Sequence, residues 1–309
     1  MHPFTRRKSE SVAALGEAKL ILEIRRWLGN VSPRAPFGIG DDCAVLPPSK
    51  GPQLITVDPV IYPRHFNDRV RPRDVGSKLL KRNLSDLAAM GGRPTAAVLA
   101  LTLSPTVRLS WLKEFYLGLA ASARRYSVRI VGGDIAQADS TLAASLTLLG
   151  EATGPRTLTR TGAKVGDHIY VTGALGDSLR TGHHHAFMPR LKEGVWLARR
   201  PEIVAMMDVS DGIAKDLRCL TPRGSTAALI GESIPRRGRA TLRAALTDGE
   251  DYELLLIVSG SSRTTAFEGA WKTKFPKLPL TRIGEFVKGR RVPAGTLDLS
   301  QFSGYEHLM

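Results

Sequence analysis

The chain has 309 residues, of which 42% are hydrophobic and 24% are charged, and its formal net charge is +15. This length can bury a large core, and the composition favours two globular domains over a disordered chain. No apolar run reaches the roughly 18 residues that span a bilayer, and charges interrupt the amphipathic segment near the N-terminus, so we expect a cytoplasmic protein without a signal peptide. The two cysteines, Cys43 and Cys219, exclude a disulfide framework and a four-thiolate zinc site, and are expected in the core.

The positive charge predicts an attraction for polyanions such as nucleotides, phosphorylated substrates or RNA. The 44 Lys and Arg residues are scattered over several segments and lack the interleaved aromatic residues of a single-strand binding platform. A solvated basic surface is the simpler interpretation. We therefore expect no specific nucleic acid partner and no membrane partner.

The first half of the chain predicts an α+β domain in which helices cover one face of a sheet. Helices are expected at residues 15–29, from residue 75 to the Gly91-Gly92 stop, and at 106–125; strands are expected at 42–46, 53–58, 94–103, 127–134 and 140–152. A shift to Pro, Thr and Arg at GPRTLTRTG marks a boundary near residues 152–160. The sequence thus predicts domains at 1–153 and 154–309.

The second half predicts a strand at 167–173, a helix that begins close to Ser210 and Asp211, a Gly turn that leads into a strand at 247–258, and a hairpin at 283–292. Three consecutive histidines stand at 183–185. Consecutive side chains point in different directions and cannot all bind one ion, so we do not expect a metal site there.

Isolated aspartates are the main chemical signal. Asp86 interrupts an apolar helical run, so it either faces water or has a partner such as a cation. Other aspartates stand beside Gly or Ser or at the ends of predicted strands; they are Asp42, Asp58, Asp134, Asp208 and Asp211. Together they predict one metal–phosphate centre. Oxygen donors without a His/Cys cluster suit Mg²⁺ better than zinc or iron.

Two of these motifs have local structural interpretations. In DVSDG, Ser210 either caps the following helix or serves the site. Gly132 and Gly133, before Asp134, allow the backbone to approach a phosphate closely. The sequence has neither a P-loop nor the protein-kinase motifs. Phosphoryl transfer in another fold requires mainly positioning and charge neutralisation, so carboxylates without an obvious nucleophile are compatible with a kinase.

Six motifs carry a family resemblance: GIGDDCAVL, NLSDLAAMGGRP, VGGD, LTRTGAKVGDHIYVTGALGDS, DVSDG and DGEDYELL. In their order and approximate spacing, these motifs resemble the thiamine-monophosphate kinase family of the aminoimidazole-ribonucleotide-synthetase-like superfamily. The resemblance extends from about residue 15 to the final SGYEHL. The resemblance implies two domains, an N-terminal sheet domain that forms a dimer-spanning β-barrel in a homodimer and a C-terminal α/β sandwich domain. It also implies Mg²⁺-dependent, direct in-line phosphorylation of thiamine monophosphate to thiamine diphosphate, with ATP as co-substrate in a cleft between the domains.

The resemblance implies roles for particular residues. Metal ligands would be Asp42, Thr56, Asp58, Asp86, Asp134, Asp208 and Asp211, of which Asp86, Asp134 and Asp211 are catalytic. Nucleotide contacts would come from Gly133, Asp134, Arg160 and Ser210. His65, Glu250 and Tyr305 would form the thiamine-phosphate pocket, with the acid facing the cationic heterocycle and the ring stacking on it. Without the resemblance, these three are a surface histidine, a turn glutamate and a packed tyrosine.

The chain departs from the family pattern at Val57, at 135–138, at Asp248 and in a short segment between residues 178 and 208. These departures bear on substrate and turnover more than on the fold. Two alternatives stay open: another ATP-dependent synthetase or kinase of the superfamily, and a non-catalytic module that binds nucleotides or polyanions. A selenophosphate-type enzyme would need a reactive Cys or Sec near a Gly-rich N-terminus, and this N-terminus has none.

Overall fold

The computed structural model describes residues 1–40, 43–49 and 51–306, and the chain divides into two compact units. The first unit comprises Met1–Leu84 and Pro94–Glu151; the second comprises Ser85–Arg93 and Ala152–Met309. The short segment 85–93, which carries Asp86, is thus grouped with the C-terminal half of the chain. The domain boundary expected after residue 153 stays a prediction.

The first unit contains a four-stranded sheet. The elements from its part of the chain are α1 (Glu17–Leu28), β1 (Gln53–Ile61), α2 (Pro72–Ala89), β2 (Gly92–Leu103), α3 (Leu109–Tyr126), β3 (Arg129–Gln137) and β4 (Leu142–Ala152). The strand order is β1-β4-β2-β3, with β1 antiparallel to β4 and β2 parallel to β3. The predicted helices and four of the five predicted strands are confirmed.

The strand predicted at 42–46 is wrong for the residues that are described, because residues 43–49 contain no strand. The amide of Val45 donates instead to the Pro36 carbonyl at 2.7 Å, and Val45 is 51% exposed. The described residues of this short apolar run therefore do not pair with a strand.

Helices α2 and α3 pack closely because each has a glycine at the contact. A Cβ on Gly76 would lie 2.0 Å from the Phe115 carbonyl oxygen, and a Cβ on Gly118 would lie 2.0 Å from the Arg73 carbonyl oxygen. Leu112 of α3 lines a small cavity with Val60 and Leu101 of the sheet, so α3 covers this sheet face. On β1, the apolar residues Ile55, Val57 and Ile61 point to the opposite face and are exposed.

The second unit contains a five-stranded antiparallel sheet in the order β6-β8-β5-β9-β7. Its further elements are β5 (His168–Thr172), α4 (His183–Ala186), α5 (Leu191–Leu197), β6 (Ile203–Asp208), α6 (Ile213–Asp216), β7 (Ser225–Leu229), α7 (Leu242–Thr247), β8 (Leu254–Val258), α8 (Thr264–Lys274) and β9 (Leu280–Lys288). Alternate residues of β8 enter different core clusters: Leu255 packs with Ile213, whereas Leu256 packs with Phe267. Both faces are covered, which explains the continuous apolar sequence of β8.

Two further expectations are wrong. The segment 283–292 does not form a hairpin, because β9 pairs with the distant strands β5 and β7 and no strand follows it among the residues described up to 306. Cys43 and Cys219 are exposed rather than buried. None of the described helices is long and apolar enough to cross a membrane.

Candidate active site

The DVSDG segment forms a tight turn between β6 and α6. Its amides at Ser210 and Asp211 both donate to Oδ2 of Asp216 at 3.0 Å. Ser210 is not the helix cap that the sequence allowed, because the N-cap residue is Gly212 and no side chain caps the helix. Asp216, which the sequence analysis missed, therefore shapes the turn from inside the helix.

Asp216 is 4% exposed, and burial raises its pKa to about 7 although the backbone N–H groups around it favour the charged form. The negative charge of Asp211 also raises the pKa of Asp216. The turn thus places two carboxyl groups close together. The buried carboxyl group of Asp216 holds the backbone, whereas Asp211 is only half-buried.

Asp208 ends β6 and is 3% exposed. The hydroxyl of Ser85 donates to Oδ2 of Asp208 at 2.6 Å. Ser85 directly precedes the half-buried Asp86, so the structure brings the Asp86 segment and the DVSDG segment together within the second unit.

The GEDYEL turn packs on the same segment. The amide of Glu250 donates to the Ser210 carbonyl at 2.7 Å, and Glu250 has a φ of 53°. A Cβ on Gly249 would lie 2.6 Å from the Ser210 carbonyl oxygen, so only glycine fits at this approach. The turn therefore fixes Glu250 beside Ser210 and Asp211.

The C-terminal tail completes this cluster. The amide of Tyr305 donates to the Asp211 carbonyl at 3.0 Å. Nζ of Lys215 lies 2.9 Å from Oδ2 of Asp211 and 2.7 Å from the Tyr305 carbonyl oxygen. Four predicted site residues, Ser210, Asp211, Glu250 and Tyr305, are thus joined by direct contacts.

Two further carboxylates in the GEDYEL segment, those of Asp251 and Glu253, are buried. Neither was predicted from the sequence as a site residue. Asp251 accepts from Ser178 at 2.8 Å and from Arg237 at 2.6 Å. Burial nevertheless raises the pKa of Asp251 to about 6, against the lowering effect of Arg237. Glu253 accepts two hydrogen bonds from Arg190, at 2.7 and 2.5 Å. The available signal was the presence of three acids within GEDYEL, immediately before an apolar strand.

Two of the three histidines at 183–185 contact backbone carbonyl groups through their rings. His183 Nε2 lies 2.9 Å from the Asp251 carbonyl oxygen, and His184 Nδ1 lies 3.1 Å from the Ser178 carbonyl oxygen. They help to anchor the segments on either side of the buried Asp251.

The predicted site residues of the first unit lie on β1, on β3 and after β1. Thr56 and Asp58 alternate on β1 and so share one face of the strand. Nη2 of Arg82 lies 3.1 Å from Oδ1 of Asp58, while Nη1 donates to the Pro59 carbonyl at 2.7 Å. Asp58 therefore already has a fixed positive neighbour.

His65 is held at the end of β1. Its Nδ1 accepts from the Ile61 amide at 3.1 Å, and its carbonyl accepts from Nζ of the buried Lys78 at 3.0 Å. Because Nδ1 accepts this hydrogen bond, the proton of the neutral His65 ring is assigned to Nε2.

Gly133 and Asp134 line a cavity of about 250 Å³ within the first unit. A Cβ on Gly133 would lie 2.1 Å from the Leu99 carbonyl oxygen, so β3 approaches β2 in a way that other residues would block. The other walls are mostly apolar and come from α1, β2, β3 and α3; they include Ile21, Ile24, Leu99, Tyr116 and Ile130. Tyr116 was not singled out from the sequence, because its spacing in α3 is that of an ordinary core residue.

Two predicted residues stand apart from these contacts. Arg160 is exposed, and the residue before it is fastened to β6 by a hydrogen bond from the Met206 amide to the Thr159 carbonyl at 2.9 Å. Asp42 lies outside the described residues.

The predicted ligands are carboxylates and a hydroxyl, which is the donor chemistry that Mg²⁺ prefers. Within the parts of the chain that the structure describes, no three His, Cys, Asp or Glu side chains are grouped as a metal site. The predicted aspartates are divided between the two units: Asp58 and Asp134 belong to the first, and Asp86, Asp208 and Asp211 to the second.

The chain is similar to proteins of known family and structure. Residues 40–152 match the family model described as AIR synthase related protein, N-terminal domain. A thiamine-monophosphate kinase from Rhodopirellula baltica is 35% identical, with 82% of this chain and 84% of the relative covered. The crystal structure of thiamine-monophosphate kinase from Stenotrophomonas maltophilia superposes with a TM-score of 0.72 at 32% identity, covering 90% of this chain and 96% of that one.

A third similar protein is AaThiL, solved in complex with AMPPCP and TMP. It covers 99% of this chain and 100% of its own length, with a TM-score of 0.65 and 28% identity. The extent and level of these similarities confirm the resemblance that the six motifs indicated, and the α/β architecture with two sheets agrees with it. The chain belongs to the thiamine-monophosphate kinase family.

Proposed function

We propose that this protein transfers the γ-phosphoryl group of ATP to thiamine monophosphate, with Mg²⁺, and produces thiamine diphosphate. The observation that carries the proposal is the similarity, over 99% of this chain, to AaThiL, which was solved with AMPPCP and TMP bound. The cluster of Ser210, Asp211, Glu250 and Tyr305 supports it from within this chain.

The acceptor site is proposed at His65, Glu250 and Tyr305. The carboxylate of Glu250 would face the cationic heterocycle of thiamine, and the Tyr305 ring would stack on it. The Tyr305 amide donates a hydrogen bond to the Asp211 carbonyl. This contact supports a site in which the acceptor lies next to the proposed metal-binding aspartates.

The nucleotide site is proposed at Gly133, Asp134, Arg160 and Ser210. The mostly apolar cavity beside Gly133 suits the base of ATP, because small-molecule sites combine apolar walls with a few placed polar groups. Gly133 and Asp134 line this cavity, which supports a contact between the nucleotide and this part of β3.

Metal ligation is proposed at Thr56, Asp58, Asp86, Asp134, Asp208 and Asp211, together with Asp42. Bound Mg²⁺ would neutralise phosphate charge and align the reacting groups. Ser85 and Lys215 would orient the carboxylates of Asp208 and Asp211. Because Arg82 already supplies a positive charge to Asp58, we infer that Asp58 is the weakest of these ligands.

The reaction is proposed to be a single in-line displacement. Positioning and charge neutralisation can drive phosphoryl transfer without a covalent intermediate. The residues that the chain contributes to the cluster are carboxylates, a hydroxyl, a lysine and a tyrosine, and no nucleophile–base pair is required. Backbone bonds to Asp216 keep the turn in place while these groups hold the substrates.

A homodimer with a dimer-spanning barrel is also proposed. Strand β1 is at the edge of its sheet, and Ile55 is 71% and Val57 61% exposed on its outer face. An exposed apolar edge strand usually finds a partner. Light scattering should give a dimer for the wild type and a monomer for Val57→Lys. Leu22→Lys, at a residue that is 61% exposed on α1, should remain dimeric; a monomeric wild type at micromolar concentration would overturn the proposal.

Radiolabelled ATP tests the function directly. With Mg²⁺ we expect label in thiamine diphosphate when thiamine monophosphate is the acceptor, and little transfer to thiamine or to purine ribonucleoside monophosphates. Preferential transfer to another acceptor would assign a different kinase activity. Tight ATP binding without transfer to any acceptor would favour a non-catalytic nucleotide-binding protein.

A further inference from the structure

An open pocket of about 760 Å³ lies in the second unit, and the turn that carries Asp211 does not line it. It is formed by the edge strand β7, by the segment after β9 and by the start of the C-terminal tail. The residues that line it and carry the argument are Arg218, Thr226, Arg290, Arg291, Asp298 and Ser300. The function proposed above uses none of them.

The pocket has an excess of positive charge. Three arginines line it and only one carboxylate does, that of Asp298. Within the described ranges, neither Arg290 nor Arg291 forms an ion pair. Asp298 is already used locally, since its Oδ1 accepts from the Ser300 amide at 2.9 Å and from the Ser300 hydroxyl at 2.7 Å. The guanidinium groups of Arg290 and Arg291 are therefore available to an anion.

The third arginine connects the pocket to the tail. Nη2 of Arg218 donates to the Phe302 carbonyl at 2.9 Å and lies 3.4 Å from the Leu299 carbonyl oxygen. Phe302 is partly buried against the core cluster and lies under the guanidinium of Arg243, at 5.3 Å from the ring centroid. Three residues further on, Tyr305 reaches the Asp211 carbonyl. The same short segment thus borders the basic pocket and ends at the candidate active site.

We propose that this pocket binds a phosphate-bearing small molecule and that the bound anion fixes the C-terminal tail. Arginine binds phosphate through several charge-assisted hydrogen bonds, and Arg290 and Arg291 leave such donors unused. An anion that bridges them to Arg218 would link the end of β9 to the tail. The consequence for the acceptor, that a fixed Tyr305 binds it more tightly, rests on the proposed function; anion binding itself does not.

Calorimetry with tripolyphosphate tests the pocket. EDTA is included so that metal-dependent binding at the aspartates does not contribute, and orthophosphate and ADP are titrated in parallel to compare phosphate sources. We expect one tripolyphosphate per chain, and at least about tenfold weaker binding by the Arg290→Gln/Arg291→Gln double variant, because two charge-assisted bonds are lost.

The matched control is Arg239→Gln/Arg263→Gln, which removes two exposed arginines elsewhere in the second unit and leaves the pocket residues in place. It should change the affinity by less than about twofold, the effect of a lowered net charge alone. Equal losses in both double variants, or no binding by the wild type, would overturn the site.

Hydrogen exchange tests the effect on the tail, again without ATP or thiamine monophosphate. Tripolyphosphate should slow exchange in a peptide that covers residues 299–306, including the Tyr305 amide, in the wild type and not in Arg290→Gln/Arg291→Gln. Unchanged exchange in the saturated wild type would overturn the link to the tail. Both readouts are independent of kinase activity, so failure of the proposed function would not imitate failure of this site.

Discussion

The two compact units bury charges of opposite sign. Among the described residues, the first unit buries Lys78 and Lys81 and no carboxylate. The second unit buries no lysine or arginine, but it buries five carboxylates: Asp167, Asp208, Asp216, Asp251 and Glu253. Burial of an ion is costly unless donors or opposite charges compensate. The comparison therefore shows which charged side chains each unit holds in its interior: lysines in the first unit and carboxylates in the second.

In the second unit, several of the buried carboxylates hold the turns that carry the candidate site residues. Asp216 holds the turn that presents Asp211, and Asp251 and Glu253 hold the base of the GEDYEL turn through Arg237 and Arg190. The candidate ligands of the first unit are more exposed; Asp134 is exposed on β3, and Asp58 is half-buried beside Arg82. We infer that the candidate ligands of the second unit are held more rigidly than those of the first.

The largest effect is expected from Asp211→Ala, which removes the carboxylate of a proposed metal ligand in the second unit. If Asp211 is a metal ligand, kcat should fall roughly a thousandfold or more, while the Tm changes little because Asp211 is not part of the core. Steady-state kinetics and thermal denaturation measure both. Asp139→Ala, at an exposed aspartate, is the control and should keep full activity; full activity in Asp211→Ala would remove this residue from the site.

Arg237→Met should produce the largest loss of stability. It leaves the carboxylate of Asp251, whose side chain is 0% exposed, without its ion-pair partner, and breaking a buried pair costs about 3–5 kcal/mol. Urea denaturation measures the loss. Arg180→Met removes an exposed partner of Asp177 and should cost less than about 1 kcal/mol. Similar small losses in both variants would mean that Asp251 is not held as a buried ion.

The sequence predicted much of this arrangement, and the limits have physical causes. Apolar periodicity located α2, α3 and the strands that become buried, since a core face leaves a regular pattern. It could not reveal Asp216 as the residue that shapes the DVSDG turn, because that role depends on backbone amides that fold back over it. Nor could it pair Arg82 with Asp58, which are 24 residues apart. Cys43 was wrongly predicted to be buried. Cysteine side chains are usually buried in proteins, but Cys43 is exposed here.

Lys81→Met should stabilise the first unit at neutral pH. Burial lowers the pKa of Lys81 to about 8, against an ordinary value of 10.5. Between these two values the unfolded chain binds the proton and the folded chain does not, so wild-type stability rises with pH. The advantage of Lys81→Met should thus be about 3 kcal/mol at pH 7 and should shrink towards zero near pH 10.5.

Urea denaturation at both pH values gives this difference, with Lys113→Met, an exposed residue on α3, as the control. A pH-independent advantage would show that packing rather than the buried charge causes it.

Ser85→Ala should have the smallest effect, because it removes one donor from the buried Asp208. A loss of about 1–2 kcal/mol in unfolding free energy is expected, because one hydrogen bond to a buried carboxylate is lost. Ser85→Thr, which restores the hydroxyl, should recover part of it. No loss in Ser85→Ala would mean that water or another donor replaces the hydroxyl without cost.

The stereochemical course at phosphorus tests the central claim most directly. ATP that is chiral at the γ-phosphate is supplied with Mg²⁺ and thiamine monophosphate, and the configuration of the transferred group in thiamine diphosphate is determined. A single in-line displacement predicts inversion, with no labelled phosphate trapped on the protein. Retention of configuration, or an isolable phospho-enzyme, would contradict direct transfer between the two substrates.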